Sequence, residues 1–198
     1  MNVVRWVILS FLFLFVNGVY KAASAQVTFG VKAGGNYSYG LNKVNFNGVY
    51  YFNFIMEPLY RPVVGLFGEY HFADHFSGRI DIAYMGGGYL GYNGAREEPY
   101  YFNYLTIPLS IKYRATHHAS LRAGVFGSYM LNDGGVLHKD TDGGFLVGLD
   151  FAIGKNWGVG LESYWGFLNI STTPEWNEQY SRMLQINTWY RISIVKSK

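Results

Sequence analysis

Eight segments of this chain alternate residue by residue between two kinds of side chain, and every charged residue inside them falls on the same side of the alternation. In Leu121-Arg122-Ala123-Gly124-Val125-Phe126-Gly127-Ser128-Tyr129 the odd positions are Leu, Ala, Val, Gly and Tyr, and the even ones are Arg, Gly, Phe and Ser. Successive side chains of a β-strand point to opposite faces. One face of this segment is therefore greasy and the other is charged, small or polar. A single strand of this kind suits a soluble sandwich equally well, so their number and connections decide. The segments run roughly Val27–Tyr37, Pro62–His71, Phe76–Met85, Tyr101–Tyr113, Ala119–Leu131, Gly143–Ile153, Trp157–Leu168 and Met183–Ile194. Each is near the length, about 9–11 residues, that a tilted strand needs to cross the hydrocarbon of a bilayer.

With the greasy positions facing outward, the lumen of a closed sheet receives Lys32, Glu69, Arg79, Asp81, Lys112, Arg122, Asp150, Glu162 and Arg191. These five cations and four anions are able to pair there. A slip of one residue turns all nine toward lipid. Each Arg or Lys at the bilayer midplane costs roughly 2–4 kcal/mol, so the cations alone cost on the order of 10 kcal/mol. That rivals the net stability of a whole domain, about 5–15 kcal/mol, and it fixes the phase. The outward aromatics sort by height as well. Phe29, Tyr70, Tyr113, Phe151, Trp157 and Tyr190 fall near one rim, and Tyr37, Tyr84, Tyr129, Phe145 and Trp165 near the other. Val31, Leu66, Ile80, Ile82, Leu109, Val125, Val147, Leu149, Leu161 and Ile186 lie between them. Two aromatic bands flanking an aliphatic one is the interfacial girdle of a membrane barrel.

The connections alternate in length. Phe72–His75, Arg114–His118 and Gly154–Asn156 read as short turns. Ser38–Arg61, Gly86–Tyr100, Asn132–Asp142 and Asn169–Arg182 read as long polar loops. Short turns at one rim and long loops at the other match the outer-membrane plan of short periplasmic turns and long extracellular loops. Ahead of the first strand, Arg5, the apolar run Trp6–Val16 and the small-x-small site Ala23-Ser24-Ala25 read as a cleaved signal peptide over residues 1–25. Residues 26–198 are then one barrel domain. Loss of Arg5 and Lys21 brings the formal charge from +3 close to neutrality, which offers no electrostatic basis for nucleic-acid binding. Cysteine is absent, so neither disulfide nor thiol chemistry is available.

Particular stretches resemble a known family. Pro62-Val63-Val64-Gly65-Leu66-Phe67-Gly68-Glu69-Tyr70-His71-Phe72-Ala73-Asp74-His75-Phe76 is similar to the second strand, short turn and third-strand start of PorT-like outer-membrane β-barrels, common in Bacteroidetes-type bacteria. Asn103-Tyr104-Leu105-Thr106-Ile107-Pro108-Leu109-Ser110-Ile111-Lys112-Tyr113 resembles that family's fourth strand, with its Tyr-Leu-x-Ile-Pro core, and Phe29-Gly30-Val31-Lys32-Ala33-Gly34 its start. The resemblance spans essentially all of residues 26–198. It implies fold and location, handling by the barrel assembly machinery, and a part in secretion or envelope assembly. It supplies no common catalytic set. Families of this kind often end in an aromatic residue that the assembly machinery reads, whereas here Trp189-Tyr190-Arg191-Ile192-Ser193-Ile194 is followed by Val195-Lys196-Ser197-Lys198.

Several features carry chemistry. Eight strands enclose a space that interior side chains just fill, so the lumenal charges read as a packed salt-bridge plug, with a small transport barrel for ions or apolar solutes as the alternative. Pro108 lies mid-strand and removes a ladder N–H. It implies a bulge or a gap between the fourth and fifth segments, or a lateral opening. His138, Asp140 and Asp142, with Asp133 nearby, suit a loop-borne hydrolase or a hard cation, although Asp and Gly cluster in turns anyway. His117 and His118 share a turn and could reach one metal. Ser163 has no outward histidine beside it, which argues against a lipid hydrolase. The richest surface feature is the first loop, with Tyr50, Tyr51, Phe52 and Phe54, joined by Tyr89 and Tyr92 in the second. Tyr gives large contact area at little entropic cost, but strands that extend beyond the membrane also carry aromatics. The reading is a non-enzymatic, cofactor-free outer-membrane barrel of a Gram-negative bacterium. It has no assigned catalytic or metal residue, and it contacts lipid and an envelope or secretion partner.

Overall fold

The computed structural model describes residues 27–46, 49–53, 57–93, 96–132, 140–170 and 177–192. Nine strands follow in chain order: β1 (Val27–Phe46), β2 (Val49–Asn53), β3 (Glu57–His71), β4 (Phe76–Asn93), β5 (Arg96–Arg114), β6 (Ala119–Asn132), β7 (Thr141–Ala152), β8 (Trp157–Gly166) and β9 (Asn177–Ile192). Neighbours pair antiparallel in the order β2-β1-β3-β4-β5-β6-β7-β8-β9, and β1 also pairs β9. Strand β2 lies along the far end of β1, from Asn42↔Asn53 to Phe46↔Val49. The closed wall is therefore the eight-stranded antiparallel barrel that the alternation calls for. The expected leader, residues 1–25, lies outside the described residues.

Side-chain exposure follows the two-residue period. Asp81 is fully buried while its neighbours Ile80 and Ile82 are 40% and 52% exposed. The aliphatic belt is exposed throughout, from Val31 and Leu66 to Val125, Leu149 and Ile186. Aromatic rings bracket it, with Phe76–Tyr113 at 5.1 Å and Trp157–Tyr190 at 4.8 Å on the turn side, and Tyr37–Tyr60 at 5.0 Å and Phe145–Trp165 at 5.8 Å on the loop side. The Trp165 indole donates to Ser163 Oγ at 2.7 Å, which satisfies both polar groups on the outward face.

Strand ends depart from the sequence reading. Residues 38–61 and 86–100, expected as long loops, are mostly strand: β1 runs to Phe46, β3 starts at Glu57, and β4 pairs β5 out to Asn93↔Arg96. Past the girdle no hydrocarbon demands an apolar outer face, so the alternation fades although the backbone ladder continues. The turns are as short as expected. Ala73 and Phe76 exchange backbone hydrogen bonds at 3.3 Å, and Thr116 Oγ1 accepts from the amides of His118 at 3.2 Å and Ala119 at 2.9 Å.

Pro108 interrupts a different ladder from the one expected. Its pairing with β6 passes through Pro108↔Phe126 without a shift. On the β4 side the bridges lapse between Ile80↔Leu109 and Ala83↔Thr106 and then resume in the same register. The missing pairs, Asp81 opposite Pro108 and Ile82 opposite Ile107, are those that an N–H at position 108 would close. The result is a gap without a bulge.

Inward glycines make room for large inward side chains, the small-with-large alternation of narrow barrels. A Cβ on Gly158 would overlap the Trp189 ring, and one on Gly30 would overlap Phe67.

Candidate functional site

The interior is built in two storeys. On the turn side, the strands contribute Lys32 from β1, Glu69 from β3, Arg79 and Asp81 from β4, Lys112 from β5, Arg122 from β6, Asp150 from β7 and Glu162 from β8, all buried. Asp81 accepts a forked pair from Arg79 at 2.8 and 3.1 Å and lies 3.1 Å from Lys32 Nζ. Glu162 lies 2.5 Å from Arg122 Nη2 and 3.4 Å from Lys32 Nζ, and it accepts from Tyr164 Oη at 2.5 Å and Asn187 Nδ2 at 2.8 Å. Lys112 Nζ bridges Asp150 at 3.0 Å and Glu69 at 3.4 Å. Ser77 Oγ donates to Glu69 at 2.8 Å. Many of these links join strands that are not neighbours in the wall, such as β1 with β8 and β5 with β3. They therefore act as struts across the lumen. Arg191 of β9 is also turned inward and stacks over the Trp189 ring at 4.8 Å; its charge reaches Glu69, but it makes no close ion pair among the described residues.

Toward the loop side the lumen becomes apolar. Val63, Ala83, Met85, Phe102, Tyr104, Phe126, Met130, Leu146, Tyr164 and Met183 form one buried cluster, with Phe126 edge-on to Tyr164 at 5.3 Å. Reading only the charges missed this storey. The same alternation carries the signal, because Phe126 shares the inward phase of Arg122 and Met85 that of Asp81. Tyr164 joins the storeys by packing its ring above and giving its hydroxyl to Glu162 below.

The remaining candidates are dispersed. Asp142, expected on an outer loop, instead faces inward from β7 and is buried. It accepts hydrogen bonds from Ser181 Oγ and from the Gly143 amide, beneath Gly166, whose missing Cβ leaves it room. That is a structural carboxylate. Asp140 is exposed, and Asp133 and His138 lie outside the described residues. His117 and His118 are exposed at the turn-side mouth, where His118 Nδ1 lies 3.2 Å from the Ala152 carbonyl. Among the described residues no three His, Asp or Glu side chains converge on a metal-holding arrangement. Tyr50, Tyr51 and Phe52 fall on β2, opposite Asn45, Val44 and Lys43 of β1. Tyr89 and Tyr92 fall on the outer part of β4, paired with Tyr100 and Glu97. Phe54 lies outside the described residues.

A family model described as the outer membrane protein beta-barrel domain matches residues 9–191. Among solved structures, the chain is similar to Neisserial surface protein A, at 15% identity over 84% of this chain and 99% of that one, with a TM-score of 0.50. It is also similar to the outer membrane protein AlkL in DMPC lipid bilayers (14%, 85% and 92%, TM-score 0.49). A third similarity is to Ail, the attachment invasion locus protein of Yersinia pestis (13%, 84% and 99%, TM-score 0.46). Comparison with curated proteins gives no match.

Proposed function

The chain belongs to the outer membrane protein beta-barrel domain family, and we propose that it works there by contact, as a non-enzymatic barrel whose protruding aromatic strands engage a partner of the cell envelope. The observation that carries this reading is the height of the wall. Strand β1 continues from Tyr37 in the girdle to Phe46, paired on one side with β2 and on the other with β9 as far as Val44↔Asn177. At roughly 3.3 Å per residue this ladder extends well beyond the membrane surface. It holds Tyr50, Tyr51 and Phe52 on a sheet, where binding costs little ordering entropy. Beside it β4 and β5 pair out to Asn93↔Arg96 and carry Tyr89 and Tyr92.

In this reading the chain is exported by a cleaved leader (residues 1–25) and inserted by the barrel assembly machinery, and it sits in the outer membrane of a Gram-negative bacterium. The Tyr-Leu-x-Ile-Pro strand, Tyr104–Pro108, supports a PorT-like assignment and with it a role in secretion or envelope assembly. Photocrosslinking in intact cells from position 51 or 89, followed by identification of the captured protein, is expected to yield one envelope component. Capture of lipid alone, together with an unchanged envelope after deletion of 47–56, would defeat the proposal.

A further inference from the structure

We infer that the periplasmic mouth of the barrel is a binding site for a small oxyanion, the phosphate or carboxylate group of a periplasmic solute, held by the Arg191 guanidinium and the Trp189 indole N–H. A cavity of about 70 Å³ opens at the turn side, and Trp189, Arg191, Lys112, Arg114, His75 and His118 line part of it. That volume is several times what one water requires and suits a tetrahedral or planar anion.

The charge pattern selects the ligand. Lys32, Arg79, Lys112 and Arg122 each have at least two carboxylates within ion-pair distance. Among the described residues Arg191 has none, and its Nε is buried without a hydrogen-bond partner. The Trp189 Nε1–H below it is likewise buried and unpartnered. Two such donors without acceptors cost free energy until an acceptor arrives, and an oxyanion is the acceptor that a guanidinium fork fits best. Lys112 Nζ also sits over this ring, 5.6 Å from its centre, which adds positive potential.

Three carboxylates also line the mouth, but two are already engaged. Glu69 is held by Lys112, Ser77 and His71, and Asp150 by Lys112 and Arg79. Asp74 is exposed on the turn, where its backbone carbonyl oxygen, not its carboxylate, accepts from Arg114. His75 and His118 turn Nδ1 to the backbone carbonyls of Arg114 and Ala152, each at 3.2 Å. Three cations, Arg191, Arg114 and Lys112, balance the three carboxylates in formal charge, so it is the two buried donors without acceptors, Arg191 Nε and Trp189 Nε1, that favour an anion over a metal ion.

The test follows the indole N–H resonances of tryptophan-labelled protein, refolded in detergent micelles, during titration with inorganic phosphate, acetate and sodium chloride at matched ionic strength. The resonance assigned to Trp189 by its loss in Trp189→Phe is expected to shift saturably with phosphate, while those of Trp157 and Trp165 stay in place. In Arg191→Gln, checked for barrel formation by heat-modifiable gel migration, half-saturation should rise by roughly tenfold. Arg191→Lys, which keeps the charge and loses the fork, should lie between. Acetate saturating beside phosphate widens the ligand class to carboxylates, and acetate without effect narrows it to phosphoryl groups. Should Arg191→Gln fail to fold, saturation confined to Trp189 in the unaltered protein decides the matter. A linear drift shared with chloride, unchanged half-saturation in Arg191→Gln, or a shift abolished by EDTA overturns the inference.

Discussion

Glu162 is the residue on which the interior depends most. It takes an ion pair or hydrogen bond from Lys32, Arg122, Tyr164 and Asn187, so its removal leaves two buried cations sharing Asp81 as their remaining carboxylate and two donors without this acceptor. Breaking one partner out of a buried ion pair costs about 3–5 kcal/mol. Glu162→Ala is therefore expected to destabilise the barrel by that amount in urea unfolding from lipid vesicles, and Lys32→Met in the same chain should recover part of the loss through coupling between neighbours. A cost under about 1 kcal/mol, typical of exposed pairs, would mean that water reaches the site. The inward position of Glu162 was legible in the sequence because its charge shares a phase with Tyr164 and opposes Leu161 and Trp165. The identity of its partners was not. Lys32 lies 130 positions away, and their meeting depends on how far each strand is staggered around the barrel. Asp142 illustrates the same limit, because its neighbour Ser181 comes from a segment that read as loop.

At the level of strands, Pro108 makes a local prediction. Replacing it with alanine supplies the N–H that the β4–β5 ladder lacks, so amide exchange at Asp81, whose N–H faces β5, should slow by roughly tenfold as the two missing pairs close, while Ile82, whose N–H faces β3, should change little. Exchange left unchanged would show that the gap has another origin. The sequence located this interruption within the correct strand but assigned it to the wrong edge. Which of its two neighbours a strand residue addresses alternates along the ladder, and a single chain does not reveal that parity. The ends of β1 and β4 were hidden for a different reason. Beyond Tyr37 and Met85 no hydrocarbon enforces an apolar face, and Gly, Asn and Tyr there satisfy a ladder and a loop equally well.

For the whole molecule, the phase set by nine charges decides which face meets lipid, and the belt around Val125 tests it. Val125→Arg places a guanidinium in the bilayer and should cost about 2–4 kcal/mol in vesicles, whereas the same change near the turns, at Ile153, should cost about 0–1 kcal/mol. Equal costs at the two heights would contradict a membrane-embedded belt. The two filled storeys predict an electrically silent barrel. In planar bilayers the intact protein is expected to give no steady conductance at physiological salt, and steady openings would favour transport instead. The seam between β1 and β9, paired from Phe29↔Ile192 to Val44↔Asn177, has one more consequence. It joins the first and last described strands, so the wall closes only when all eight of its strands are in place. Afterwards each of the eight wall strands has a neighbour on both sides. How long a copy persists in the envelope is then set by an unfolding rate rather than by an equilibrium.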